Sequence, residues 1–115
     1  MKKIALIAYT GELVCFSHVL LYCLDYHQKG YRLELVIEGA ATRLITDLGQ
    51  PGKPFAELYD KVCKAGLIGC ICLACSKKMG SYDEALRQGL TFGSELQGHP
   101  SLERFTKEGY EVMTF

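Results

Sequence analysis

The chain has 115 residues, 49 % of them hydrophobic, and 13 Lys+Arg balance 13 Asp+Glu to a formal net charge of zero. That length fits one domain spanning residues 1–115. The missing basic surplus sets a nucleic-acid partner aside, and neutrality gives no colloidal repulsion against self-association.

Met1-Lys2-Lys3 followed by apolar residues as far as Leu24 imitates a signal peptide or a membrane span. Thr10-Gly11-Glu12 and His18 interrupt the run, and no small-residue cleavage site follows, so it reads as strand, turn and helix. The expected compartment is the cytoplasm, with no membrane partner. Lys3 to Tyr9 is a continuous apolar run, the pattern of a strand buried on both faces. From Glu12 to Lys29 the spacing is helical, with Leu13, Phe16, Leu20, Leu24 and His27 on the core face and Gly30 as the stop. Val14, Cys15, Val19, Leu21, Tyr22 and Tyr26 then lie off that stripe, and so much apolar surface predicts a homo-oligomer.

Tyr31 to Ile37 alternates as a second strand ending at Glu38-Gly39, and Ala40 to Leu48 reads as a short helix. Gln50 to Pro54 is a turn. Pro54 opens a helix with Phe55, Leu58, Tyr59, Val62 and Cys63 inward, Gly66 as its stop, and Glu57–Lys61 and Asp60–Lys64 pairs on its solvent side. Leu67 to Ala74 is a third buried strand, followed by a turn or short helical start over Cys75 to Gly80. Ser81 with Glu84 resembles a capping box for a helix to about Gln88. A short strand near Leu90-Thr91-Phe92, or loop alone, fits the next stretch. Pro100-Ser101 starts a last helix, and Tyr110 to Phe115 is a terminal strand. Strands alternating with helices predict an α/β fold, a mainly parallel sheet of four or five strands with helices on both faces.

Ligands of parallel sheets bind outside the carboxyl ends of the strands. Those ends bring Thr10, Glu12, Glu38 and Cys75 into view. In a reducing compartment the six cysteines (15, 23, 63, 70, 72 and 75) are free thiols. Cys15, Cys23 and Cys63 read as small core residues, and Cys70 as buried within the third strand. Cys72 lies near the strand top. Cys75 lies just past it, where a helical turn would aim amides at its sulfur and Lys77 and Lys78 add positive charge. Both effects favour thiolate and single out Cys75 as the nucleophile.

A metal is the competing reading of Cys70-x-Cys72-x-x-Cys75. Three thiolates leave a tetrahedral shell incomplete, no second Cys-x-x-Cys exists, and His99 would have to swing in as the fourth ligand. No metal and no cofactor are therefore expected. His27 reads as core, His18 as lying on the far helix face and His99 as a loop residue. There is no G-x-G-x-x-G, no Walker loop, no acidic end to the first and third strands, and no hydroxyl-rich phosphate loop.

Three stretches carry a family likeness: the opening strand and helix, Ile71-Cys72-Leu73-Ala74-Cys75-Ser76-Lys77-Lys78-Met79-Gly80, and the closing Gly109 to Phe115. Through them the chain resembles the DsrE-like sulfur-relay proteins over nearly its whole length. It looks closest to a branch of small cytoplasmic proteins with a similar Gly-His-Pro-Ser helix and terminal strand. The resemblance implies a three-layer α/β/α fold of DsrE or flavodoxin-like type, homo- or hetero-oligomers, and a cysteine that accepts a persulfide sulfur and passes it on. By position that cysteine is Cys75, with Cys72 matching a second cysteine of some members. Sulfur-donor and sulfur-acceptor proteins are the implied partners. Two further readings of the same residues stay open: a thiol-redox or redox-sensing protein cycling a Cys72–Cys75 disulfide, and a non-catalytic oligomeric binding module.

Overall fold

The computed structural model describes residues 1–115. In chain order it contains β1 (Lys3–Ala8), α1 (Leu13–Gln28), β2 (Arg32–Ile37) and a 3₁₀ segment (Gly39–Leu44) that runs into α2 (Ile45–Leu48). Then come α3 (Ala56–Lys64), β3 (Ile68–Cys72), α4 (Leu73–Lys78), α5 (Tyr82–Arg87), β4 (Phe92–Gly93), α6 (Leu102–Lys107) and β5 (Glu111–Thr114). The five strands form one all-parallel sheet in the order β4-β3-β2-β1-β5.

This order explains the layers. Strands β1 to β4 step in one direction across the sheet, and right-handed crossovers then place α1 and α3 on the same face. The connection from β4 to β5 runs back across the sheet, so the same handedness puts α6 on the opposite face. The result is a three-layer α/β/α fold whose layers are unequal. The larger core joins Ile4, Leu6, Leu35 and Ile71 of the sheet to Phe16, Leu20 and Val62 of α1 and α3. Across the sheet, Ala5, Ile7, Val36 and Cys70 meet a smaller set, Phe105 and Tyr110 with the half-buried Leu102 and Val112. Ile4 to Ala8 are all buried, because β1 is covered on both faces, and each fully buried Leu, Ile or Phe contributes about 1.5–3 kcal/mol.

Several sequence expectations shift. The buried stripe of α1 is Phe16, Ser17, Val19, Leu20 and Cys23, so Val19 is core while His27 and Cys15 are exposed. Tyr26 is half-buried and packs edge-on against Tyr31 at 5.1 Å. Phe55 is exposed and takes φ +64° immediately before α3, so it points away from the core. Of the two expected surface pairs on α3, Asp60–Lys64 forms at 2.8 Å and Glu57–Lys61 does not. Ser81 makes no side-chain cap; its buried Oγ has no partner, and Glu84 instead receives Arg87 and Gln88. The third strand ends at Cys72, two residues early, because Leu73 already begins α4. No helix is long and apolar enough to cross a membrane.

Candidate functional site

Three chain segments converge at the carboxyl ends of β2 and β3. The first carries Glu38, which follows β2 directly. Gly39 turns the chain with φ +51°, and its amide donates to Glu38 Oε1 at 3.1 Å, so the carboxylate caps the 3₁₀ segment. The second is Cys72-Leu73-Ala74-Cys75. Cys72 is the N-cap of α4, and its Sγ accepts the amide of Cys75 at 3.4 Å. The helical start therefore serves the sulfur of Cys72 and not, as expected, that of Cys75. Thr42 ties the first two segments together, its hydroxyl donating to the carbonyls of Gly39 at 2.8 Å and Cys75 at 3.3 Å.

The third segment is a tight hairpin turn over Leu96 to His99. Leu96 and His99 exchange backbone hydrogen bonds of 2.8 and 2.9 Å, and the two central residues, Gln97 and Gly98, take φ of +49° and +91°. Two positive φ values define a type I′ turn, which favours glycine. Gly98 is needed twice. Its carbonyl accepts the Ala74 amide at 2.8 Å, and a Cβ on it would approach Ala74 Cβ to 3.2 Å. The turn is thereby fastened onto the first turn of α4, and His99 swings over the two cysteines.

Nδ1 of His99 lies 3.1 Å from Cys72 Sγ and 3.8 Å from Cys75 Sγ. Glu38 Oε1 accepts from Cys75 Sγ at 3.3 Å and stands 3.7 Å from His99 Nδ1. Cys72 is fully buried, Cys75 is half-buried, and the His99 side chain is 43 % exposed. The cluster thus has a closed floor and an open rim. Burial pushes the Cys72 thiol well above the usual thiol range; the Cys75 amide opposes this, and the side chains of Glu38 and Cys75 add to the rise. Tyr9 feels the same negative surroundings: burial first, then Glu38, Cys72 and Cys75, hold its phenol above the ordinary value. No lysine or arginine pairs with Glu38; the nitrogen facing it is His99 Nδ1.

Chemically, this is a two-thiol site with an imidazole in reach of both sulfurs and a carboxylate in reach of the outer one. A Cys–His contact is the arrangement that activates a thiol as nucleophile. No family model matches the chain. It is 28 % identical over 96 residues to the uncharacterised protein MJ0733 of Methanocaldococcus jannaschii, covering 84 % of this chain and 76 % of that one. Two uncharacterised proteins of Archaeoglobus fulgidus are 37 % identical over 41 residues and 46 % identical over 37, the alignments covering 67 % and all of their own lengths and 36 % and 32 % of this chain. The chain belongs with these archaeal proteins. The structure of the Bacteroides thetaiotaomicron conserved protein of unknown function BT1422 superposes with a TM-score of 0.71 at 17 % identity, over 99 % of this chain and 95 % of that one. That likeness establishes the fold.

Of the residues picked out from sequence, Cys72, Cys75 and Glu38 come together. Thr10 and Glu12 do other work: the Thr10 hydroxyl accepts the Glu12 amide at 3.2 Å, and Glu12 caps α1 by accepting the amides of Val14 and Cys15 at 3.1 and 2.9 Å. Those amides hold the Glu12 carboxyl below its usual range. Lys77 sits over the Tyr82 ring at 5.2 Å, Lys78 is exposed in the last turn of α4, and neither is bonded to Cys75. Cys70 faces the α6 layer, 3.8 Å from an Arg104 guanidinium nitrogen. His99 is the residue sequence reasoning underplayed. Its signal was the Gly98-His99-Pro100 run, in which a glycine fixes a turn and a proline directs the next helix.

Proposed function

We propose that the chain is a DsrE-like sulfur carrier that accepts a sulfane sulfur on Cys75. The observation that carries the proposal is the division of labour between the two thiols. Cys75 is reachable and contacts both Glu38 and His99, whereas Cys72 is buried behind it with its sulfur committed to the Cys75 amide and to His99. In the accepting step the Cys75 thiol gives its proton to His99. Its sulfur attacks the terminal sulfur of a donor persulfide, R–S–SH, forming Cys75–S–SH as the donor S–S bond breaks. The released R–S⁻ takes up the proton, so no external oxidant or reductant enters. The Glu38 carboxylate, buried beside the Cys75 sulfur, disfavours anionic donors such as thiosulfate and suits a persulfide on a protein or a small thiol.

The Cys72-x-x-Cys75 spacing on one helical turn also supports a second step. The Cys72 thiol can attack the inner sulfur of Cys75–S–SH, closing a Cys72–Cys75 disulfide and releasing H₂S. A carrier that hands its sulfur on keeps Cys72 as a thiol, and a redox protein completes this step. Self-association belongs to the same proposal, through the outer face of α1. Val14, Leu21 and Tyr22 are exposed there, with Tyr22 5.7 Å from the ring of Phe115, and a second neutral copy meets no electrostatic barrier. Light scattering should exceed the chain mass of 12.8 kDa, and a monomer would contradict this part. The sulfur proposal itself is tested by intact-protein mass spectrometry after incubation with a small-molecule persulfide. A gain of one sulfur atom that Cys75→Ser loses supports it, and a gain that survives Cys75→Ser overturns it.

A further inference from the structure

We infer that Glu38, Cys72, Cys75 and His99 form a binding site for a thiophilic divalent cation of the Zn²⁺ class. The inference goes beyond sulfur acceptance and stands on the geometry of four donor atoms that all lie within 4.8 Å of one another. Zinc bonds of about 2.3 Å to sulfur and about 2.0–2.2 Å to nitrogen or oxygen, at tetrahedral angles, require donor separations of about 3.6 Å for sulfur–nitrogen and sulfur–oxygen pairs and about 3.4 Å for nitrogen–oxygen. The corresponding separations here are 3.1 and 3.8 Å for the two sulfurs to His99 Nδ1, 3.3 Å for Cys75 Sγ to Glu38 Oε1, and 3.7 Å for Nδ1 to Oε1. Each of these four falls within about half an ångström of the tetrahedral value, and the two remaining pairs, both involving Cys72 Sγ, lie within 4.8 Å.

The objection raised by the sequence was that His99 would have to swing in. The hairpin turn over Gln97-Gly98 does this, and Glu38 supplies a donor from a different strand. The donors come from three segments already fastened to each other through Thr42 and Gly98, which limits the ordering cost of binding. Charge points the same way. No lysine or arginine is bonded to the cluster, and a coordinated thiol loses its proton, so two thiolates and a carboxylate would face the cation. Two thiolates and an imidazole select zinc over the oxygen-preferring Mg²⁺ and Ca²⁺. Four protein donors close the shell. A bound ion therefore masks Cys75, and metal occupancy and sulfur acceptance exclude each other.

The test is chelator treatment of the full chain under reducing conditions, followed by addition of Co²⁺ as a spectroscopic probe and displacement by Zn²⁺. One Co²⁺ per chain should appear with a thiolate-to-cobalt charge-transfer band and tetrahedral visible bands, and Zn²⁺ should abolish both. His99→Gln, at a side chain 43 % exposed, should weaken binding by at least about 100-fold, while Cys63→Ser leaves it unchanged. Zn²⁺ should also shield Cys75 from alkylation. Absence of the charge-transfer band, or affinity unaffected by both His99→Gln and Cys75→Ser, overturns the inference. A metal-free chain that loads sulfur on Cys75 yet shows no cobalt band would sink this inference alone. A cobalt band without sulfur loading would sink the sulfur proposal alone.

Discussion

Cys63 and Cys75 are both half-buried thiols carried on short helices, and they keep different company. Cys63 lines a broad depression of about 780 Å³ beside α3 and α5, at the start of β3 and β4. Its neighbours there are a tyrosine and an aspartate, and burial pushes its thiol up. Two of its polar side chains are already paired: the Tyr59 hydroxyl donates to Gln88 at 2.7 Å, and the Gln88 amide donates to the Ile45 carbonyl at 2.9 Å and to Glu84 at 2.7 Å. Cys75 lies outside that depression and stands among an imidazole, a carboxylate and a second thiol. Room for a ligand and capacity for chemistry are thus separated in this molecule, and convergence of reactive groups, not volume, locates the site.

The largest expected break in that comparison comes from His99. His99→Gln removes the base and should slow sulfur loading of Cys75 by about 10²–10⁴-fold in a time course followed by mass spectrometry. The alkylation rate of Cys63 should not move. Next in size is the behaviour of thiols held by packing alone. Burial pushes Cys23 up to about 12, and Cys70 up to about 11 against the opposing pull of Arg104. In the unfolded chain these thiols ionise near ~8.5. Their protonated forms then favour the fold fully below that pH, and the contribution is lost as pH rises toward the folded values. Stability in urea should fall by about 1.4 kcal/mol per pH unit per thiol above pH ~9, and Cys23→Ala should remove one thiol's share of that slope.

Smaller effects sharpen the contrast from the other end. Gln88→Ala should cost about 1–3 kcal/mol in thermal or urea unfolding, because it leaves Tyr59 and Ile45 with unpaired polar groups. Sulfur loading of Cys75 should be unchanged. Smallest of all is the pair of lysines after Cys75. Lys77→Ala and Lys78→Ala should each alter the loading rate by less than about twofold, since Lys77 rests on Tyr82 and both head groups are exposed.

Much of the scaffold was legible in the sequence because buried parallel strands leave continuous apolar runs. Ile4 to Ala8 and the alternation of strands with glycine-stopped helices were enough to read the sheet. The details lost were those decided by tertiary contact. Periodicity kept Phe16 and Leu20 of the α1 stripe but rotated it slightly, because Cys23 is as good a core residue as Leu24. The sequence reads β3 two residues too long because nothing local shows that Cys72 caps a helix with its sulfur. Cys72, Cys75 and Glu38 could be found from strand ends alone. Thr10 and Glu12 share such an end but are consumed by capping, which a list of strand ends does not reveal. His99 could not be placed, because its approach depends on a turn 24 residues past Cys75 docking onto α4 through the Gly98 carbonyl.

The central claim is that Cys75 alone of the six thiols is equipped to take up sulfur. Its most direct test is site-resolved: the metal-free chain is exposed to a small-molecule persulfide, the sulfane sulfur is trapped by alkylation, and all six cysteines are mapped by peptide mass spectrometry in one sample. The label should fall on Cys75, with little or none on Cys63 and Cys15, and should be lost in Cys75→Ser. Label on Cys63 or Cys15 ahead of Cys75 would contradict it.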